Sequence, residues 1–172
     1  MDNLKVVVIN GQGGVGKDLF VNYCEDVYDF VYGFSTVDFI KYAAHEFGWA
    51  GTKEPKDRKM LSELKRILKE WDDVPYKKTA EYIQAAKANA IFNDHDEVLF
   101  IHCREPEEIQ RLKDDFDVIT ILIRRPEVEQ DWGNAADDEV FDFFYDYVII
   151  NNTKEELKES ADFFINEILE VK

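Results

Sequence analysis

The run Val6–Leu19, VVVINGQGGVGKDL, fixes most of what this chain can become. Val6, Val7, Val8 and Ile9 are β-branched and uncharged, the composition of a strand buried on both faces of a parallel sheet. Gly11–Lys17 then spell G-x-x-x-x-G-K, the spacing of a loop that wraps a polyphosphate, with Asp18 where Ser or Thr would complete the pattern. Strand, glycine loop and helix follow in the order such a loop requires.

A polyphosphate is held by backbone N–H groups at close range, which glycines permit, and by the N-terminus of the helix that follows. Lys17 adds a mobile cation. The phosphate-binding residues are therefore read as Gly11, Gln12, Gly13, Gly14, Val15, Gly16, Lys17, Asp18 and Leu19. Gly11, Gly13 and Gly16 also fit the dinucleotide fingerprint G-x-G-x-x-G, with Asp38 as a late candidate for its ribose-binding acid. Lys17 directly after the last glycine serves a phosphate loop and has no place in that turn, so the first reading stands.

At 172 residues the chain fits a single domain, 1–172, with a core of ordinary size. Thirteen Phe and eight Tyr argue against disorder and are read as core. A net charge of -16 excludes general attraction to nucleic acid or anionic membrane, so an anionic substrate must meet a local cationic cluster. Lys53–Lys78 is such an island: Lys53, Lys56, Arg58, Lys59, Lys65, Arg66, Lys69, Lys77 and Lys78 face only six acids. Pairing along a solvated helix accounts for it equally well. Cys24 and Cys103 are too few for a disulfide framework and fit no metal-ligand spacing. MDNLK leads directly into a strand and no apolar run reaches membrane-spanning length, so a cytoplasmic location is expected. A homodimer is compatible with this composition.

Periodicity predicts strands at Leu4–Asn10, Tyr32–Val37, Val98–Cys103, Val118–Ile123 and Tyr147–Ile150. Helices are expected at Lys17–Asp26, at Asp38–Phe47 with Asp38 as N-cap, and from Asp57, where Met60, Leu61, Leu64, Ile67, Leu68 and Trp71 form an amphipathic stripe. Asp72, Asp73 and Pro75 should end that helix, and others follow at Lys78–Phe92, Glu105–Phe116, Glu139–Tyr145 and Lys154–Val171. This alternation predicts an α/β fold of three layers, a five-stranded parallel sheet with helices on both faces and a ligand crevice at the carboxyl ends of the strands.

Each strand end is thus a place for chemistry. Phosphoryl transfer needs cations on the moving group, a metal bridging phosphates and an acceptor held in line. Lys17, Arg124 and Arg125 are the candidate catalytic cations, the two arginines opening a short lid at about 124–138. The third strand ends in His102 with no acid before Glu105, which leaves Asp18 as the carboxylate nearest the phosphates and the candidate Mg²⁺ ligand. An acid at a helix N-terminus is also stabilised by the helix dipole alone. His102 itself reads as a structural histidine at the end of a buried strand.

The loop GQGGVGKD, Asp57-Arg58-Lys59 with Leu61, R-E-P-E-E at Arg104–Glu108, R-R-P at Arg124–Pro126, and D-Y-V-I-I-N at Asp146–Asn151 before K-E-E-L resemble deoxynucleoside monophosphate kinases of the phage type. The resemblance spans nearly the whole chain and rests most heavily on the loop. It implies ATP and Mg²⁺ as cofactors and transfer of the γ-phosphate to a nucleoside monophosphate. Carried over, Lys17 holds the β and γ phosphates, Asp18 the metal, and Arg124 and Arg125 the transferring charge. Arg58 and Arg104 meet the acceptor phosphate, and Asp38 and Lys41 border the acceptor pocket, within a helical acceptor-binding region at about 53–92. The chain departs from that group at Leu19 where Thr is usual, at His102 where an acid is expected, and in the lid acids Asp131, Asp137 and Asp138.

A small-molecule kinase acting on a nucleoside monophosphate is the leading expectation, because a phosphate acceptor is already ionised and needs no strong base. A kinase resembling the dephospho-coenzyme A or phosphomevalonate type, with Asp38 as base, is the alternative, and a noncatalytic nucleotide-binding module a third. The guanine-reading N-K-x-D of a GTPase switch is absent.

Overall fold

The computed structural model describes residues 3–52, 54–128 and 139–171. The lid acids Asp131, Asp137 and Asp138, and Lys53 of the basic island, lie outside the described residues. The backbone divides into two compact units, one made of Met1–Phe34 with Ala86–Lys172 and the other of Ser35–Ala85.

The first unit is built on the sheet. Strands β1 (Leu4–Asn10), β2 (Val31–Ser35), β3 (Glu97–His102), β4 (Val118–Arg124) and β5 (Tyr147–Ile150) stand in the order β2-β3-β1-β4-β5. β1 pairs in parallel with both β3 and β4, and β4 with β5. The apolar run noted first in the sequence is therefore the middle strand, and Val7, Val8 and Ile9 are wholly buried. Alternate residues point to opposite faces. Val7, Ile9, Val98, Phe100, Ile121 and Ile123 share one core with Phe20, Val21 and Cys24 of α1 (Lys17–Val27) and Leu157 and Ala161 of α6 (Lys154–Phe163). Phe20 meets Phe100 and Phe164 edge-on, with ring centroids 6.2 and 5.8 Å apart; each such pair adds about 0.5–1.5 kcal/mol beyond burial. Val8, Leu99, Ile101 and Leu122 have the opposite parity, and α5 (Pro106–Asp115), which packs against β4, buries Ile109 and Leu112. The three-layer α/β expectation is met.

Asp146 locks the entry to β5: its carboxylate accepts from Lys113 Nζ at 2.7 Å, Thr120 Oγ1 at 2.7 Å and Thr120 N–H at 2.8 Å. Burial works against ionisation there, but the Lys113 and Thr120 donors outweigh it and hold the carboxyl below its usual range. Both cysteines are buried, and burial raises the Cys24 thiol's pKa.

The second unit is helical, with α2 (Asp38–Glu46), α3 (Pro55–Asp72) and the first part of α4 (Val74–Asn93). Several boundaries differ from expectation. Strand β2 runs Val31–Ser35 rather than 32–37, because Asp38 draws the Ser35 N–H to its carboxylate at 2.8 Å and turns the chain early. Val37 is the N-cap of α2 and Asp38 its first residue, so Asp38 is not the cap. Pro75 lies in the first turn of α4 and does not separate helices by a long break; its missing N–H costs nothing at that position. The break is one residue, Asp73, at φ 50. In the first unit, only Glu139–Asp142 of the expected aromatic helix is helical, as a single 3-10 turn, and the closing helix passes into a π turn at Phe164–Ile168.

The reading of aromatics as core holds for Phe20, Phe100 and Phe164 but fails for Tyr42, Phe47, Phe92, Phe144 and Phe163, which are exposed. Likewise the stripe on α3 leaves Met60, Ile67 and Trp71 exposed, and Asp57 is that helix's buried residue. Asp57 accepts from the Thr52 hydroxyl and from Glu54 N–H at 3.2 Å, fixing the start of α3; the Thr52 hydrogen bond leads in holding its pKa below the usual carboxylate value. Among the described residues no helix is long and apolar enough to cross a membrane.

Candidate functional site

A sheet ordered β2-β3-β1-β4-β5 reverses direction at β1, and ligands of open α/β sheets bind beyond the carboxyl end of the strand at that point. Gly11–Gly16 occupies this position, between β1 and α1. Gly11 has φ 145 and Gly16 φ 100, conformations that favour glycine. A Cβ on Gly11 would collide with the Ile123 carbonyl, and one on Gly16 would lie 2.5 Å from Asn151 Nδ2. The glycines are thus demanded by close approach of β4 and of the residue after β5.

Lys17 opens α1, and its ammonium donates back to the Gly11 carbonyl and to the Gln12 carbonyl at 2.8 Å. The cation is thereby held over the loop. Val15 and Gln12 are buried, so the loop is anchored from within as well as by its backbone.

Two asparagines, neither among the candidate site residues of the sequence, brace the loop. Asn10 is fully buried; its Oδ1 accepts the Gly11 N–H at 2.7 Å, while its Nδ2 donates to the Arg104 carbonyl at 3.1 Å and the Tyr145 hydroxyl at 2.7 Å. Tyr145 passes its own proton to the Val140 carbonyl at 2.8 Å, and burial pushes its pKa up, so the hydroxyl stays a donor. Asn151 donates from Nδ2 to the Val15 carbonyl at 2.8 Å and from its backbone to the Arg124 carbonyl at 2.7 Å. The sequence signal for both is a polar residue closing an apolar strand.

Of the predicted residues, the structure gathers Gly11 to Leu19 around one loop and ties Arg104 and Arg124 to it through these backbone bonds. Arg124 also places its guanidinium 5.1 Å from the Phe141 ring centroid. Arg125 lies 3.7 Å from Glu127 across NH2. Asp18 is 93% exposed on the first turn of α1, and its Oδ1 stands 3.7 Å from Nδ1 of His102, the residue read from sequence as structural. Asp38, Lys41 and Arg58 belong to the second unit, where Lys41 Nζ pairs with Asp38 at 2.8 Å and Arg58 is exposed on α3. The expected lid is described only as far as Val128.

A glycine loop with its lysine at the switch point of a five-stranded parallel sheet defines the three-layer P-loop fold. Among solved structures the chain is similar to the dephospho-CoA kinase from Campylobacter jejuni, with a TM-score of 0.55 and 17% identity over 96% of this chain and 98% of that one. It is also similar to a sugar kinase from Janibacter sp. HTCC2649 (TM-score 0.52, 14% identity, 95% of each chain) and to the shikimate kinase from Bacteroides thetaiotaomicron (TM-score 0.50, 13% identity, 96% and 98%). These likenesses are of fold. No protein-family model and no curated protein matches the chain.

Proposed function

We propose that this protein is an ATP-dependent kinase that transfers the γ-phosphate to a nucleoside or deoxynucleoside monophosphate. The observation that carries this reading is the loop at the end of β1, where glycines at positive φ turn the backbone and Lys17 is held over the Gly11 and Gln12 carbonyls. Such a loop presents N–H groups and one cation to a triphosphate. The kinases among its structural neighbours support the same class of chemistry.

In this reading Lys17 binds the β and γ phosphates, and Arg124 and Arg125 neutralise charge as the phosphoryl group moves. Asp18, exposed beside the loop, fits the role of Mg²⁺ ligand because a hard cation prefers carboxylate and phosphate oxygens. Bound there, the ion would bridge phosphates and offset their charge. Asp38, Lys41, Arg58 and Arg104 serve the acceptor. We place the protein in the cytoplasm and do not assign it a nucleic-acid or membrane partner.

The second reading, a kinase for a hydroxyl acceptor such as dephospho-coenzyme A, makes Asp38 the general base. Its carboxylate, however, is already engaged by Ser35 N–H and by Lys41 Nζ, each at 2.8 Å, which ties both oxygens to the start of α2. Incubation with Mg·ATP and a panel of ribo- and deoxynucleoside monophosphates, with dephospho-coenzyme A and phosphomevalonate alongside, tests the proposal. Diphosphate from one or more monophosphates is expected. ATP binding without transfer to any acceptor overturns it in favour of a noncatalytic module, and transfer to dephospho-coenzyme A or phosphomevalonate alone moves it to the second reading.

A further inference from the structure

The carboxyl end of β3 lies beside that of β1, with His102 in register with Ile9, so the imidazole comes up next to the phosphate loop. Helix α1 starts immediately after the loop and carries Asp18 in its first turn. These two elements, far apart in sequence, bring Asp18 Oδ1 and His102 Nδ1 to 3.7 Å. The two side chains differ in freedom: His102 is 22% exposed at the end of a buried strand, whereas Asp18 at 93% is free to turn about its own bonds.

An oxygen and a nitrogen at this separation suit one divalent cation. Two ligands each ~2.1 Å from the same ion stand ~3.0 Å apart when adjacent and ~4.2 Å apart when opposite. The observed distance of 3.7 Å lies between these limits. Phosphate oxygens and water complete the shell of an ion held this way, as is usual for a nucleotide-associated cation. The nitrogen matters for selectivity. Magnesium and manganese are served mainly by oxygen ligands, while imidazole suits the later first-row metals.

We propose that Asp18 and His102 together ligate the divalent cation accompanying the bound triphosphate, and that the imidazole shifts the preference of this site from Mg²⁺ toward later first-row metals such as Co²⁺ and Zn²⁺. The proposal rests on the reading of the loop as a nucleoside triphosphate site. It gives a use to the one strand end where an acid was expected and a histidine stands.

Pulsed electron paramagnetic resonance on the full chain with Mn²⁺ and a nonhydrolysable ATP analogue reads the ligand directly. The expected Mn²⁺ spectrum carries a coupling to an imidazole nitrogen, lost in His102→Gln, and the Co²⁺-over-Mg²⁺ preference in analogue affinity falls about tenfold in that variant. If His102→Gln does not fold, a His45→Gln/His95→Gln protein retains His102 as its sole histidine, and the coupling must persist there. Analogue bound with Mn²⁺ but without nitrogen coupling, or coupling undiminished in His102→Gln, overturns the metal assignment and leaves the loop reading intact. Failure of the analogue to bind with any of these metals overturns both.

Discussion

In the unit made of Met1–Phe34 and Ala86–Lys172, the central strands are packed away from solvent: Val7, Val8, Ile9, Val98, Phe100, Ile101, Ile121 and Ile123 are fully buried. In Ser35–Ala85, among the described residues, only Ile40, Ala44, Pro75 and Ile83 of the apolar side chains are buried, while Tyr42, Phe47, Met60, Ile67, Trp71 and Tyr82 are exposed. Charge divides just as unevenly. The helical unit holds ten of the chain's 21 Lys and Arg but only nine of its 37 Asp and Glu. One unit is fixed by packing, and the other is a nearly neutral, cation-rich surface on a helical frame in a strongly acidic chain. Local stability follows buried apolar contact, so recognition of varied acceptors is expected to fall to the helical unit and phosphate geometry to the packed one.

The largest effect is expected at the loop. Lys17→Met should lower phosphoryl transfer by about 10²- to 10³-fold while circular dichroism stays unchanged, since in the proposed role it removes a cation that meets transition-state charge, and only its two bonds to the Gly11 and Gln12 carbonyls go with it. Next, Gly11→Ala should destabilise the protein by about 2–3 kcal/mol in urea unfolding, because the new Cβ meets the Ile123 carbonyl in a strained backbone region. In the helical unit, Arg58→Ala should raise the acceptor KM about tenfold and leave the ATP KM unchanged, the loss of one charge-assisted hydrogen bond. A fall in kcat of the Lys17 magnitude would erase the proposed division of labour.

A smaller effect tests how the packed unit holds β5. The Asp146 carboxyl lies below its ordinary range when folded, so its contribution is present above the unfolded value of about 3.9 and is lost as pH falls through the folded one. Asp146→Asn should therefore cost about 1 kcal/mol near neutral pH, discounted for partial exposure, and nothing measurable once the carboxylate is protonated. Urea titrations at the two pH values measure the difference. Smallest of all, Trp71→Ser should change stability by no more than about 0.5 kcal/mol, as expected of an exposed side chain. A cost several times larger would show that α3 is packed as firmly as the sheet.

Much of the architecture is legible without coordinates. The three central strands, β1, β3 and β4, follow from apolar, largely β-branched runs, because a strand buried on both faces admits little else. Helix starts were less so: Pro75 reads as a breaker in sequence yet is harmless in a first turn, and only the conformation of Asp73 reveals where the chain turns. The stripe on α3 has the right period but is exposed at Met60, Ile67 and Trp71, since periodicity records a face and not what covers it.

By itself the sequence determined the phosphate loop, the parallel sheet and the position of Lys17, because spacing along one strand–loop–helix unit is a local property. The tertiary structure decided what surrounds that loop. Asn10 with Arg104 and Tyr145, Asn151 with Val15, and His102 with Asp18 are separated by about 80 to 140 positions, and no local rule pairs them. They meet because parallel strands bring their carboxyl ends to one edge of the sheet, whatever the length of chain between them.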